Sequence, residues 1–160
     1  RPLDWDIRHQ IIFQGGLTAK ENQHPKIFGL KLPDNWSLTI LSRFQSGRPY
    51  TPGTDDPALR QILENANDAP YTATTDLKFR KSFNVMNFKL AFFVDIFNLI
   101  NRNNVQRDFG FNNWTGEPYE FGDLSGSTNQ LIDWYDAVKL MDLRQFAPER
   151  RFKLGMKIDW

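Results

Sequence analysis

The last stretch of the chain alternates without an exception. Phe152, Leu154, Met156, Ile158 and Trp160 are apolar, while Lys153, Gly155, Lys157 and Asp159 between them are small or charged. A period of two is the signature of a β-strand, because successive side chains point to opposite faces. A strand with one wholly apolar face and one face carrying Lys and Asp separates an oily environment from a wet one. A fold built on such strands is all-β, with one face of its sheet turned to oil.

The same pattern recurs upstream. Phe88, Leu90, Phe92, Val94 and Ile96 form one face, set against Lys89, Ala91, Phe93 and Asp95, with Lys89 and Asp95 marking the wet side. Trp36, Leu38, Ile40, Ser42 and Phe44 form another, opposite Ser37, Thr39, Leu41 and Arg43, and Gly47, Pro49 and Pro52 close that strand. Two weaker segments complete the set. From about Thr75 to Phe83, Leu77, Phe79 and Phe83 oppose Asp76, Lys78, Arg80 and Ser82; from about Ile7 to Leu17, Ile11, Phe13 and Leu17 oppose Arg8, Gln10 and Gln14. Gly15 and Gly16 interrupt the latter and suggest a bend or bulge. The expected fold is all-β: about five antiparallel strands of a large transmembrane β-barrel with long extracellular loops.

Composition is compatible with this reading and excludes others. The longest apolar run, Leu90 to Val94, is far short of the roughly 20 residues a transmembrane helix needs. A barrel strand needs only about 10 residues with alternate positions apolar, so a mean hydropathy of −0.55 does not oppose membrane insertion of that kind. Phe at 14 copies and Trp at 5 are abundant strand formers. The net charge is +1, with Lys and Arg spread along the chain rather than gathered into a phosphate-binding patch, so nucleic acid is not an expected partner. Cysteine is absent, which removes disulfides and thiolate metal sites. The chain opens at Arg1 without a charged and apolar leader, so any export signal is expected to have been removed or to lie upstream, and an upstream portion is expected to be missing.

Connections carry the second signal. Asn84 to Asn87 reads as a tight turn, whereas Ser46 to Thr74 and Asn101 to Pro148 are long and rich in Asn, Asp, Gly and Pro. Outer-membrane barrels have short periplasmic turns and long outer loops. With the C-terminus placed inside, the chain runs down at Ile7, up at Trp36, down at Thr75, up at Phe88 and down at Phe152. The inner connection from Thr18 to Asn35 is longer than usual, and its part near Ile27 to Leu32 is a candidate strand extension. This orientation places Trp36, Phe83, Phe88 and Trp160 at the periplasmic ends of their rows, and Trp5, Phe44 and Phe152 near the outer ends, as two aromatic girdles.

Several stretches resemble TonB-dependent outer-membrane receptors, particularly the large Oar-like members with a carboxypeptidase-regulatory-like N-terminal domain. Asp4-Trp5-Asp6-Ile7-Arg8-His9 resembles a D-x-R-H strand opening, and Ser46-Gly47-Arg48-Pro49-Tyr50-Thr51-Pro52 resembles an S-G-x-P-Y-T-P loop start. Asp76-Leu77-Lys78 with Lys81-Ser82-Phe83 resembles D-L-R…K-x-F, and Val94-Asp95-Ile96-Phe97-Asn98-Leu99-Ile100-Asn101 resembles F-x-D-V-F-N-L-F-N. Arg150-Arg151-Phe152-Lys153-Leu154-Gly155-Met156 resembles P-R-x-x-x-L-G-x, with Pro148 slightly displaced. The resemblance spans nearly the whole chain and identifies it as the C-terminal barrel portion. It implies a barrel of about 22 strands around a plug, import of a bulky nutrient powered by TonB through a missing upstream region, and residence in the bacterial outer membrane. It also makes Phe152, Leu154, Met156, Ile158 and Trp160 the signal read by the outer-membrane assembly machinery. Five strands cannot close such a wall, so either a longer chain or other chains are expected to complete it.

No catalytic chemistry is legible. His9 and His24 lack a zinc-ligand spacing, and neither a nucleophile elbow, a P-loop nor a dinucleotide fingerprint occurs. No cofactor is expected. Asp55-Asp56 and Asp133 with Asp136 lack the donor spacing of a calcium loop. The candidate ligand or partner contacts are aromatics of the long loop, Trp114, Tyr119, Trp134 and Tyr135, set against a reading in which they pack the loop on itself; Asn129 to Met141 reads as a short amphipathic helix. A structural or adhesive barrel that holds other surface proteins without transporting anything, and a soluble β-sandwich or barrel that binds a hydrophobic ligand with its apolar faces inward, stand as alternatives.

Overall fold

The computed structural model describes residues 2–106, 111–112, 115–118 and 146–159. The chain is mostly β. Its main sheet has five strands, in the spatial order β1 (Gln10–Ala19), β4 (Trp36–Gln45), β7 (Thr72–Val85), β8 (Phe88–Phe97) and β9 (Arg151–Asp159). Each neighbour in the sheet is the next long strand in sequence, the meander expected when alternating segments are joined by turns and loops.

The pairing is antiparallel throughout. β7 and β8 run from Leu77↔Ile96 to Val85↔Phe88, and β8 and β9 from Lys89↔Asp159 to Phe97↔Arg151. Between β4 and β7, the Ser82 amide donates to the Asn35 carbonyl at 2.9 Å, and Ser42 and Thr75 share a hydroxyl bond at 3.1 Å. Between β1 and β4, the Thr18 hydroxyl donates to the Trp36 carbonyl at 3.3 Å.

Boundaries differ from expectation in instructive ways. β1 starts at Gln10 rather than Ile7. β7 runs from Thr72 to Val85, three residues earlier and two later than the alternation alone proposes, because Asn84↔Lys89 and Val85↔Phe88 continue the ladder. Only Met86 and Asn87 remain to turn, with Met86 at φ 54. The segment near Ile27 to Leu32 does not extend a strand of the main sheet. It forms a separate hairpin, β2 (Lys26–Ile27) with β3 (Leu30–Lys31). Phe28 and Gly29 at its tip both have positive φ, 50 and 81, the conformation that closes a two-residue hairpin.

The chain divides into two compact units. One, Ile12–Arg43, Thr74–Arg102 and Glu149–Trp160, holds most of the main sheet. The other, Arg1–Ile11, Phe44–Ala73 and Asn103–Pro148, contains a small core of Tyr50, Ala69, Val105 and Phe111 with Phe146 packed against it. In it β5 (Pro49–Tyr50) pairs with β6 (Asn67–Asp68), and a short helix α1 (Pro57–Ile62) interrupts what the sequence suggests is plain loop. Its start has a local cause: the Asp56 carboxylate caps the Ala58 amide at 2.8 Å, and Pro57 sits in the first turn.

Candidate functional site

The register of β7, β8 and β9 sorts their residues into two faces. Leu77, Phe79, Phe83 and Val85 on β7 stand beside Ile96, Val94, Leu90 and Phe88 on β8, and the β8 row continues to Phe152, Leu154, Met156 and Ile158 on β9. Large members of this row are open to their surroundings: Leu154 is 73% exposed and Phe152 63%. Phe83, Phe88, Phe92, Met156 and Ile158 are exposed as well. Trp36 lies 6.5 Å from Phe79, and Gly15 lies against Ile40, which brings the rows of β4 and β1 onto the same face. Exposed apolar surface of this extent is characteristic of a face that meets a partner, a ligand or a membrane.

The opposite face is charged. Lys78, Asp95 and Lys153 stand side by side on three strands, and Asn84, Lys89 and Asp159 form a second row. Asp95 thus stands in register between two lysines, with one carboxylate oxygen buried and without a hydrogen-bond partner among the described residues. Phe93 and Phe97 are the β8 aromatics on this face, Phe97 standing opposite Arg151 and Phe93 opposite Gly155. The Phe93 ring covers Gly155 so closely that a Cβ there would come within 2.1 Å of it, and Lys153 Nζ lies 5.9 Å from the ring centre. Any larger residue at 155 would force the Phe93 ring to move.

Lys81 breaks the apolar row of β7, opposite Phe92. Its ammonium bends toward the strand end, forming an ion pair with the Asp34 carboxylate at 3.6 Å and a hydrogen bond to the Asp34 carbonyl, and it lies 4.9 Å from the Phe83 ring centre. A long amine stem lets the charge leave an apolar row while the methylenes stay in it. The Asn22 amide bonds the same carboxylate at 2.7 Å, and this bond, aided by Lys81 and His24 against the opposing effect of burial, holds Asp34 below its ordinary pKa. The alternation did not single out Lys81 or Asp34; a lysine inside an apolar row was the available signal.

In the other unit the Ser46–Pro52 motif has a physical role. Gly47 lies so close to the Ala69 backbone that no Cβ fits between them. The Ala69 amide donates to the Arg48 carbonyl at 2.8 Å, Ser46 and His9 exchange bonds at 2.9 and 3.1 Å, and Tyr50 meets Phe111 edge-on at 4.9 Å. His9 is therefore a structural residue at a strand entry. Asn104, unmarked in the sequence, is buried and clamps Ala73: its amide oxygen accepts from the Ala73 amide at 2.8 Å and its nitrogen donates to the Ala73 carbonyl at 2.9 Å. Arg8 pairs with Asp68 at 3.3 Å. The cavity beside Ser46, Arg48, Thr72 and Val105 is about 150 Å³, too small for a bulky ligand.

Of the residues expected to matter, Phe152, Leu154, Met156 and Ile158 lie together on one face of β9. Trp160, Trp114, Tyr119, Trp134 and Tyr135 fall outside the described residues, as do the Asn129–Met141 segment, Asp133 and Asp136. Among the described residues no cluster of three or more metal-ligating side chains occurs, and no helix is long and apolar enough to cross a membrane. No protein family, curated protein or solved structure matches this chain.

Proposed function

We infer that the five-stranded sheet is a section of the wall of a β-barrel in a bacterial outer membrane, with its apolar face toward lipid. One observation carries this reading: on β7, β8 and β9 the apolar rows are left uncovered, with Phe83, Phe88, Phe92, Phe152, Leu154, Met156 and Ile158 all exposed, while the charged rows stand in register on the other face. A soluble sheet of this kind covers its apolar face. The connections agree. Two residues join β7 to β8, while those from β4 to β7 and from β8 to β9 are long.

The resemblance of the Asp4–His9, Ser46–Pro52 and Val94–Asn101 stretches extends the reading to the C-terminal barrel portion of a TonB-dependent receptor that imports a bulky nutrient. Its partners are then lipid, the outer-membrane assembly machinery and TonB, reached through an upstream region. A second reading, an adhesive or structural barrel without transport, is favoured by the outer-loop motif, which packs Tyr50 and Gly47 into a cluster of its own around a cavity too small for such a nutrient.

Fractionation tests the first step: the protein is expected in the outer-membrane fraction, released only by detergent. Recovery from aqueous extracts would sink the barrel. Capture of the full-length protein by the periplasmic domain of TonB then separates transport from adhesion, since an adhesive barrel is retained in the membrane but not captured.

A further inference from the structure

The β2–β3 hairpin is unusual at its tip. Phe28 takes φ 50, a conformation suited to Asn, Asp or Gly and strained for an aromatic, and its side chain is 101% exposed. A strained position occupied by a large apolar residue that packs on nothing points to a role outside the fold. Leu30, beside it, is 71% exposed.

Charge surrounds this apolar tip in a one-sided way. Lys26 and Lys31 face each other across the hairpin, and Lys20 stands at the start of the connection. The acids of the same connection are already engaged: Asp34 holds Lys81 and the Asn22 amide, and Glu21 accepts from Asn84 at 2.7 Å. None of these three lysines has a carboxylate partner among the described residues. Glu21's charge remains, since Asn84 is a neutral amide, but the three lysines outweigh it and the net charge of the connection is positive.

The base of the connection is tied to the apolar side of the sheet. Lys81 and Trp36 both belong to the apolar rows, and they reach the Asp34 and Pro33 carbonyls respectively, the latter at 2.8 Å. The Asn84–Glu21 bond places the β7–β8 turn at the same end, where Met86 is likewise a bulky apolar residue at φ 54 and 96% exposed.

We propose that the β2–β3 hairpin is a lipid-surface anchor, in which Phe28 and Leu30 enter the boundary between headgroups and acyl chains while Lys20, Lys26 and Lys31 meet anionic phospholipid headgroups. An apolar tip with lysines on the strands below it and at the base of the connection fits that boundary and its charge. The connection at this end of the sheet is then long because it holds the wall at a set depth. This inference rests on the lipid-facing reading of the sheet.

The test reconstitutes the full-length protein into vesicles of phosphatidylethanolamine and phosphatidylglycerol. A fluorophore is attached at Phe28→Cys or, separately, at Leu154→Cys, and quenching by acyl-chain-brominated lipid is read. Both positions are expected to be quenched, with Phe28→Cys quenched more by bromine near the headgroups. Adding Lys26→Glu and Lys31→Glu is expected to remove most of the quenching at position 28 and leave position 154 unchanged. Quenching at 154 with none at 28 overturns the anchor and leaves the barrel standing. Quenching at neither overturns both. A blue-shifted but unquenched label at 28 means burial against protein, and also overturns the anchor.

Discussion

Single residues hold the sheet in register where alternation alone would allow slippage. A shift of β9 by two residues keeps its apolar face apolar, but it brings Lys153 or Lys157 under the Phe93 ring in place of Gly155. Gly155→Val is therefore expected to destabilise the sheet by about 1–3 kcal/mol through overpacking. Adding Phe93→Ala should recover part of that loss, as a double-mutant cycle of denaturant unfolding in detergent will read. Asp34 gives a pH dependence of known sign. Its folded pKa is lowered, so its contribution to stability is present above the ordinary value of 3.8 and is lost as pH falls from there through the lowered native value. Hydrogen exchange of the Asn22 amide, compared between the natural protein and Asp34→Asn, should show acid loosening only in the former; equal acid response in both refutes the assignment.

At the scale of elements, strands and their connections divide the work. With the proposed lipid-facing sheet, β9 presents lipid and water at alternate residues, so replacement cost should alternate too. Leu154→Arg is expected to cost about 2–4 kcal/mol if that position lies near the bilayer midplane, whereas Lys153→Arg on the opposite face should be close to neutral. Equal tolerance of both, by unfolding in vesicles, contradicts the facing. The residue that follows β9 carries the assembly prediction: Trp160→Ala should lower surface levels without changing synthesis, read by surface labelling against total protein. The faces of β4, β8 and β9 were legible in the sequence because their period of two is local. The helix at Pro57 was marked by Asp56-Pro57, yet the Asn- and Pro-rich surroundings read as loop, since a cap is informative only beside a recognisable helix pattern. The Asn104 clamp left no local trace at all, because its meaning depends on Ala73, far away in sequence.

For the whole molecule the decisive fact is the pair of edges. β1 and β9 each have one neighbour in the main sheet, and an unpaired strand edge in lipid leaves backbone groups unsatisfied at several kcal/mol each. These 160 residues expressed alone are accordingly expected not to form a protease-resistant species in vesicles, while the same residues within a closed wall are protected. A stable, protected insertion of the isolated segment would show that the edges are satisfied in some other way.

What the sequence determined by itself was parity: which residues share a face, which face is apolar, and which connections are short. Parity follows from strand geometry one residue at a time and needs no knowledge of neighbours. The tertiary structure decided what stands opposite what. It set Asp95 between Lys78 and Lys153, Phe93 over Gly155, Lys81 on Asp34, and Phe28 alone at the tip of a hairpin separate from the sheet. Those outcomes come from closing distant segments onto one another, where register, side-chain reach and the space left by a missing Cβ decide between pairings that alternation leaves equal.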